Sequence, residues 1–185
     1  MKRFIFYILR DLAFCCRALN VRLYMIMIVK AHKLIGVRFD GAPAYIDISA
    51  HIDSSGGLII GNGCVISVNV IVLTHDWSFL TRTKAQGAPD LSNKQDLSKK
   101  AYSSVSIANY SFIGAGAIIL PGSTIGKYCI IGAGTVVKGV IDDYSIMVGN
   151  PAKKIGDTRD SNYLLQTGLN DKSISEDFAC SQRLR

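Results

Sequence analysis

The sequence has little charge, few histidines and no regular cysteine motif. Charged residues make up 19% of the 185 residues and hydrophobic residues 49%. This balance argues against a disordered chain and is sufficient for one buried core. The five cysteines are odd in number and include no C-x-x-C pair, so we expect reduced thiols in a cytosolic setting rather than a disulfide framework or a structural zinc site.

Long uncharged apolar runs are also missing. None reaches the roughly 18 residues that a membrane-spanning helix needs. Arg10 and Asp11 interrupt the apolar N-terminal stretch and no small-residue cleavage site follows it, so we expect no secretory signal peptide. Negative charge is scarce here: residues 1–40 contain eight lysines and arginines against two aspartates, which gives +6 of the chain's net charge of +7.

Residues 1–40 intersperse these basic side chains with many aromatic and aliphatic ones. The pattern predicts one or two helices with a wide apolar surface. Two roles remain open. The helices either cap the end of the following domain or form a trimer contact, or they lie on anionic lipid through residues 1–35. We expect a cytoplasmic protein, in the second case peripheral on the inner face of the cell membrane.

Six aliphatic residues recur at strict six-residue intervals in the second half of the chain. They are Ile107, Ile113, Ile119, Ile125, Ile131 and Val137. Glycine follows three of them, and a compact residue stands two positions before each. A period of six fits neither a helix nor hairpin-linked strands, but it is the signature of a parallel β-helix with one short strand and one corner per hexapeptide.

An earlier stretch continues this column with Ile60, Ile66 and Val72, with an irregular coil at Ser54. The sequence therefore predicts a mainly β fold in which residues 45–156 form a β-helix. Residues 77–104 interrupt the column with a polar, turn-rich segment, which predicts one long inserted loop with a functional role. The tail, residues 157–185, has no usable motif, and both a short helix on the last coil and disorder remain open.

Residues 107–140, IANYSFIGAGAIILPGSTIGKYCIIGAGTVVKGV, and the closing GNPAK at 149–153 closely resemble the hexapeptide-repeat O-acetyltransferases of the maltose, galactoside and polysaccharide group. The resemblance covers roughly residues 45–156. It implies a left-handed β-helix that assembles as a homotrimer with active sites between subunits. It also implies acetyl-coenzyme A (acetyl-CoA) as acyl donor, a saccharide hydroxyl as acceptor and no required metal. We expect an O-acetyltransferase of surface polysaccharide or glycan biosynthesis that binds no nucleic acid.

The resemblance assigns roles to particular residues. His75 matches the catalytic histidine, which accepts a proton from the acceptor hydroxyl. Asn69 matches an asparagine near the acceptor pocket, and Asp76 and Trp77 are further acceptor-side candidates. Asp76 can in principle orient the imidazole, although neighbouring side chains of a strand point to opposite faces. The donor-side residues are Phe112, Ala115, Ala133, Lys138 and Lys153.

Three other functions fit the sequence less well. A zinc carbonic anhydrase needs three histidines around one metal, and only His51 accompanies His75 outside the N-terminal region. A non-enzymatic trimeric scaffold would need neither His75 nor the GNPAK motif. An N-acyltransferase acting on a nucleotide amino sugar usually carries an N-terminal domain with glycine-rich turns, and residues 1–40 have no such pattern. O-acetylation remains the favoured interpretation.

Overall fold

A computed structural model describes residues 1–17, 19–87 and 101–160 of the chain. Its helices are α1 (Lys2–Arg17), α2 (Val21–Leu34) and α3 (Ser78–Ala85). Its strands are β1 (Val37–Asp40), β2 (Tyr45–Ile46), β3 (His51–Ile52), β4 (Leu58–Gly61), β5 (Val65–Ile66), β6 (Ile71–Val72), β7 (Val105–Ile107), β8 (Phe112–Ile113), β9 (Ile118–Ile119), β10 (Thr124–Ile125), β11 (Ile130–Ile131), β12 (Val136–Val137), β13 (Val140–Ile141), β14 (Ser145–Val148) and β15 (Lys153–Asp157).

The strands form three sheets that are the faces of one prism. Sheet 1 contains β1, β4, β7, β10 and β13; sheet 2 contains β2, β5, β8, β11, β14 and β15; sheet 3 contains β3, β6, β9 and β12. Successive strands from β1 to β14 fall in sheets 1, 2 and 3 in turn, and all neighbours pair in parallel except β14 with β15. The predicted fold class, a mainly β, parallel β-helix with an N-terminal helical segment, is confirmed, and the solenoid has about five turns.

The six-spaced aliphatic residues fill the interior of the prism. All six have 0% exposure and stack in register one coil apart: Ile107 on Ile125, Ile113 on Ile131, and Ile119 on Val137. The compact residues two positions earlier are buried as well: Val105, Ser111, Ala117, Ser123, Cys129 and Thr135. Burying one isoleucine side chain contributes about 2 kcal/mol, so these columns hold the coils together.

The column predicts that the β-helix starts near residue 45. The structure shows that it begins earlier, with β1. In β1, Val37 lies opposite Leu58 and Phe39 opposite Ile60. These inward residues have no six-spaced partner upstream, so periodicity does not reveal the strand. The irregular first coil is visible in the spacing, since Ile46 and Ile66 are register partners 20 residues apart, compared with 18 for regular coils.

The N-terminal helices pack over the open end of this first coil. Ala13 of α1 and Tyr24 and Ile28 of α2 are buried in the same core cluster as the coil. Tyr24 Oη donates a hydrogen bond to the Ile46 carbonyl at 2.6 Å, which joins α2 directly to β2. The helices therefore cap the prism. Within the described residues, the model contains no helix with the length and apolar content that a bilayer crossing requires.

The interruption of the column is a large insertion at one corner. Ile60 and Ile107 are register partners 47 residues apart, 29 more than the 18 of a regular coil. The extra chain leaves after β6, contains α3, and returns before β7. Val72 nevertheless pairs in register with Ile119 of the next coil, so the insertion leaves the stacking undisturbed.

A ladder of tyrosines runs along the corner between sheets 1 and 2. Tyr110, Tyr128 and Tyr144 have left-handed φ values of 59°, 55° and 62°, and neighbouring ring centroids are 5.2 Å apart with nearly parallel planes. The Tyr110 ring covers Gly63, whose φ is +66°. A Cβ at Gly63 would lie 2.4 Å from Cδ1 of that ring, so the ladder requires glycine there.

Two glycine substitutions distinguish the steric effect of the Tyr110 ring on stability from the effect of the left-handed backbone. Gly116 has the same φ of +66°, but a Cβ there meets no heavy atom within 4 Å. We expect Gly116→Ala to cost about 1 kcal/mol of unfolding free energy, from the left-handed backbone alone. Gly63→Ala should cost about 2 kcal/mol more, because the Tyr110 ring is stacked on Tyr128 and cannot move freely. Guanidinium chloride unfolding measures both, and equal losses would contradict the ring contact.

Candidate active site

Asp53 and His75 form a close pair at the corner where the insertion leaves the prism. Strands β3 and β6 are neighbours in sheet 3, with Ile52 opposite Val72, so the residues that follow them meet at one corner. Asp53 Oδ2 accepts a hydrogen bond from His75 Nδ1 at 2.7 Å. The His75 side chain is 39% exposed and that of Asp53 only 15%. A sheltered carboxylate therefore holds a solvent-accessible imidazole.

Hydrogen bonds keep the Asp53 carboxylate ionised. Its Oδ2 also accepts from the Thr74 amide at 2.9 Å and the Thr74 hydroxyl at 2.6 Å, and Oδ1 accepts from the Ser55 amide at 2.9 Å. Burial alone would raise the pKa of Asp53, but the bonds from Thr74, Ser55 and His75 outweigh it and hold this pKa well below its usual range.

The ionised carboxylate determines the tautomer of the neutral imidazole. Because Asp53 can only accept, His75 Nδ1 carries the proton and Nε2 is the basic nitrogen. No residue in 1–17, 19–87 or 101–160 hydrogen-bonds Nε2. The geometry matches the requirement for a general base, a free ring nitrogen with the other nitrogen held by an acid.

Thr74 and Gly56 stabilise the Asp53–His75 pair through a chain of hydrogen bonds. The Thr74 side chain is fully buried, and its hydroxyl accepts from the Gly56 amide at 2.8 Å while donating to Asp53. A Cβ on Gly56 would lie 2.1 Å from the Thr74 carbonyl oxygen. The backbone at Gly56 can therefore come this close to Thr74 only without a side chain.

Asp76 does not orient the imidazole. Its Oδ1 accepts a hydrogen bond from the Ser78 amide at 2.8 Å, which satisfies a donor in the first turn of α3. The bonds from Ser78 lower the pKa of Asp76. The orienting acid is Asp53, which sequence reasoning missed because it lies 22 residues before His75 and beside the irregular coil at Ser54.

Aromatic rings surround the accessible side of His75. The returning chain bridges His75 with Tyr102 in antiparallel fashion, and the two ring centroids are 6.2 Å apart. Trp77 meets Tyr102 edge to face at 6.1 Å and lies beside the buried Phe79 at 6.0 Å. Trp77 and Tyr102 remain 43% and 36% exposed, so both present ring surface beside the imidazole.

Three other predicted site residues lie on a different corner, between sheets 2 and 3. Asn69 has a left-handed φ of 54° there, while Ala115 and Ala133 follow β8 and β11 at the same corner, one coil apart. Gly116 and Gly134 lie beside them with φ of +66°, and a Cβ at either meets nothing within 4 Å. Within one chain, sheet 3 separates this open corner from His75.

The remaining donor-side residues are spread over the prism. Lys138 follows β12 on the same corner as His75, and its charge helps to lower the pKa of Asp76. Phe112 lies in β8 with an exposed ring on the outside of sheet 2, and Lys153 is exposed at the start of β15. The structure thus brings Lys138 to the His75 corner but not Phe112 or Lys153.

The described residues contain no cluster of three or more His, Cys, Asp or Glu side chains that could hold a metal. His32 is buried in the helical cap, with Nδ1 2.8 Å from the Ile28 carbonyl oxygen, and burial lowers its pKa. His51 lies in β3, where its side chain is exposed. The histidine trio of a zinc carbonic anhydrase is therefore not assembled in this part of the chain.

Residues 104–139 match the family model for the bacterial transferase hexapeptide, six repeats. The match and the stacked coils show a hexapeptide-repeat β-helix in this part of the chain.

The chain is similar to a putative lipopolysaccharide biosynthesis O-acetyl transferase, WbbJ, of Escherichia coli K12. Identity is 28% over 120 residues, 65% of this chain and 60% of that protein. It is also 34% identical over 111 residues to a chloramphenicol acetyltransferase of Klebsiella aerogenes, covering 56% and 52% of the two chains. The alignments thus span about half to three fifths of these curated relatives.

Among solved structures, AntD, an N-acyltransferase from Bacillus cereus crystallised with dTDP and 3-hydroxybutyryl-CoA, shares the fold. The TM-score is 0.50 at 22% identity, over 80% of this chain and 71% of that one.

The depressed pKa of Asp53 predicts how stability depends on pH. Its contribution is present above the unfolded-state pKa of about 3.9 and is lost as pH falls through the lower folded-state pKa. We expect Asp53→Asn to lower the unfolding free energy by about 2 kcal/mol at pH 7. In urea titrations this difference should shrink below about pH 4.

A matched control is Asp40→Asn, because Asp40 is exposed and pairs with Arg38 at 3.6 Å. We expect a change below about 0.5 kcal/mol at either pH. An Asp53→Asn difference that stays constant from pH 7 to pH 3 would mean that the carboxylate is not held ionised by its hydrogen bonds.

Proposed function

We propose that this protein is an acetyl-CoA-dependent O-acetyltransferase that acetylates a saccharide hydroxyl in surface polysaccharide or glycan biosynthesis. The observation that carries the proposal is the 2.7 Å pair of Asp53 and His75 at the corner where the insertion begins. The naming of its relatives as acetyltransferases, one of them in lipopolysaccharide biosynthesis, supports it. We place the enzyme in the cytoplasm.

His75 acts as general base and then as general acid. Nε2 accepts the proton of the acceptor hydroxyl as its oxygen forms a bond to the thioester carbonyl carbon. The Asp53 carboxylate stabilises the imidazolium that results, and a backbone N–H stabilises the developing oxyanion. The carbon–sulfur bond then breaks, and the departing thiolate takes the proton from Nε2, which returns His75 to its starting state.

The acceptor binds against the insertion. Trp77 and Tyr102 expose ring surface beside His75, and a pocket lined by aromatic faces with a few polar groups suits a sugar ring. Asp76 supplies an ionised, solvent-exposed carboxylate next to the base. Asn69 joins these acceptor-side residues from a neighbouring subunit. Within one chain, Asn69 and His75 lie on opposite edges of sheet 3.

The donor lies along the open corner between sheets 2 and 3. Ala115 and Ala133 present short side chains there, and Gly116 and Gly134 leave the surface clear, so an extended pantetheine arm fits against the backbone. The exposed ring of Phe112 offers an apolar surface next to this corner. Lys138 and Lys153 are exposed cations suited to the phosphates of the donor.

The separation of the donor corner from the His75 corner supports a homotrimer with active sites between subunits. The donor corner and the His75 corner lie on opposite edges of sheet 3, so a donor on one subunit meets the base of the next. The outward residues of sheet 3 include Ile71, Ile118 and Val136. An aliphatic outer face is what a subunit contact requires.

Replacing His75 tests the proposed function. We expect His75→Ala to stay folded and to lower the turnover of acetyl-CoA with a saccharide acceptor by about 10²-fold or more, because the general base is lost. Release of the coenzyme thiol measures the rate against a panel of sugars, nucleotide sugars and lipid-linked saccharides.

The matched control is Thr124→Ala, which changes an exposed outward residue of sheet 1 and should retain wild-type turnover. Full activity in His75→Ala would remove His75 from the mechanism. Wild-type protein that binds no acetyl-CoA would favour a non-enzymatic scaffold instead.

Filling the donor corner should weaken donor binding selectively. We expect Ala133→Tyr to raise KM for acetyl-CoA about tenfold or more with the acceptor KM little changed, because a ring there occupies the path along the backbone. Val140→Tyr is the control, since Val140 is 74% exposed on sheet 1. Equal effects of both variants in initial-rate kinetics would contradict the assignment of the donor corner.

A further inference from the structure

The side of α1 opposite the buried Ala13 is apolar except for Asp11. Ala13 is buried against the core, and the opposite side of the helix exposes large hydrophobic side chains. They are Phe4 (70% exposed), Tyr7 (51%), Ile8 (43%), Leu12 (49%) and Phe14 (64%). At 100° per residue these five positions fall within one continuous arc, which we call the outer face of α1. Scattered exposed hydrophobic residues are ordinary, but a continuous face marks a binding surface.

Basic residues follow one edge of the outer face. Arg3, Arg10 and Arg17 recur every seven residues, so they lie in a line along the helix. The one acidic residue on α1, Asp11, lies within the outer face, and its Oδ1 is 3.7 Å from a nitrogen of Arg10, which offsets its charge. On α2, Arg22, Lys30 and Lys33 are exposed as well. The apolar surface is therefore bordered by positive charge.

The outer face is held in a fixed direction. Arg17 pairs at 3.2 Å with Asp47, whose side chain is only 2% exposed, and Asp47 also accepts a hydrogen bond from Tyr45 at 3.0 Å. Tyr24 joins α2 to the Ile46 carbonyl. These contacts attach the helical cap to the first coil, so whatever the outer face binds is held at the N-terminal end of the prism.

We propose that the outer face of α1 docks on the surface of a bilayer rich in anionic phospholipid. The helix lies in the interface, with its aromatic and aliphatic side chains at the boundary of the acyl chains and its arginine line at the headgroup phosphates. A bound helix of 16 residues covers about 24 Å of membrane. This docking goes beyond acetyl transfer and does not depend on it.

The charge pattern favours lipid over protein occupants of this face. A second copy bound through the same surface would bring two arginine lines together, which like-charge repulsion opposes. Residues 161–185 have three acidic residues, Asp171, Glu176 and Asp177, against three basic ones, Lys172, Arg183 and Arg185. That segment therefore offers no net negative charge to match the arginines, whereas anionic headgroups do.

Vesicle binding by the full chain tests the docking. Sedimentation with phosphatidylcholine vesicles containing a quarter phosphatidylglycerol should retain the protein, and pure phosphatidylcholine should retain much less. We expect Arg3→Gln with Arg10→Gln to lower the partition coefficient about 30-fold, at about fivefold per arginine. Arg17 is left in place because it pairs with Asp47. The matched control, Arg38→Gln with Lys154→Gln, removes the same charge from the prism and should leave binding unchanged.

The apolar contribution is tested separately. Phe4→Ser, Ile8→Ser and Leu12→Ser together should abolish retention on anionic vesicles, whereas Val140→Ser with Ile155→Ser should not. Circular dichroism verifies that each variant remains folded. If the Arg3→Gln/Arg10→Gln variant and the Arg38→Gln/Lys154→Gln variant lose the same amount of vesicle binding, net charge alone explains the interaction and the proposal is overturned.

Two further outcomes would assign the face to another occupant. A wild-type chain that ignores anionic vesicles, together with a lower molar mass in light scattering for the triple serine variant, would make it a subunit contact. If the full chain does not bind vesicles but a chain truncated after residue 160 does, the tail covers the outer face.

Discussion

The register between successive coils is the constraint on which the rest of the structure depends. Each inward residue must lie directly over its equivalent, as Ile113 lies over Ile66 and under Ile131, because a residue shifted by one position would turn its side chain outward. The strands are therefore fixed in length, and the interior side chains are fixed in size. Variation is confined to the corners and to the two ends of the prism, and these are the places where the helical cap, the insertion and the candidate catalytic pair are found.

At one corner of the prism, paired strands position the candidate general base, His75. His75 follows β6, which is paired on both sides with β3 and β9, and the acid that holds its imidazole follows β3. His75 is also bridged by Tyr102 where the chain returns from the insertion. The insertion also contributes the rings of Trp77 and Tyr102, so the candidate base belongs to the frame and the proposed acceptor surface belongs to the inserted chain. This division is typical of enzymes that build sites from loops on a stable scaffold.

Periodicity predicted the interior well because burial repeats at a constant interval: Ile107, Cys129 and Val137 are each where the column places them. His75 was identified through family resemblance and the end of the column. Asp53 was not, because its position next to His75 arises from pairing between β3 and β6 across 22 residues. Tyr102 reaches the site only where the chain returns from the insertion. Tyr110, Tyr128 and Tyr144 occupy left-handed corners that propensity assigns to glycine or asparagine, and only their mutual stacking accounts for them.

The unbroken pairing of Val72 with Ile119 has a consequence for how such proteins diversify. A segment that leaves and re-enters at one corner without changing the register can be lengthened, shortened or replaced while the frame folds as before. Under the proposed function this segment is a module for acceptor preference: exchanging the residues between Trp77 and Ser104 with those of a hexapeptide-repeat acetyltransferase would transplant selectivity and leave the acid–base pair in the host.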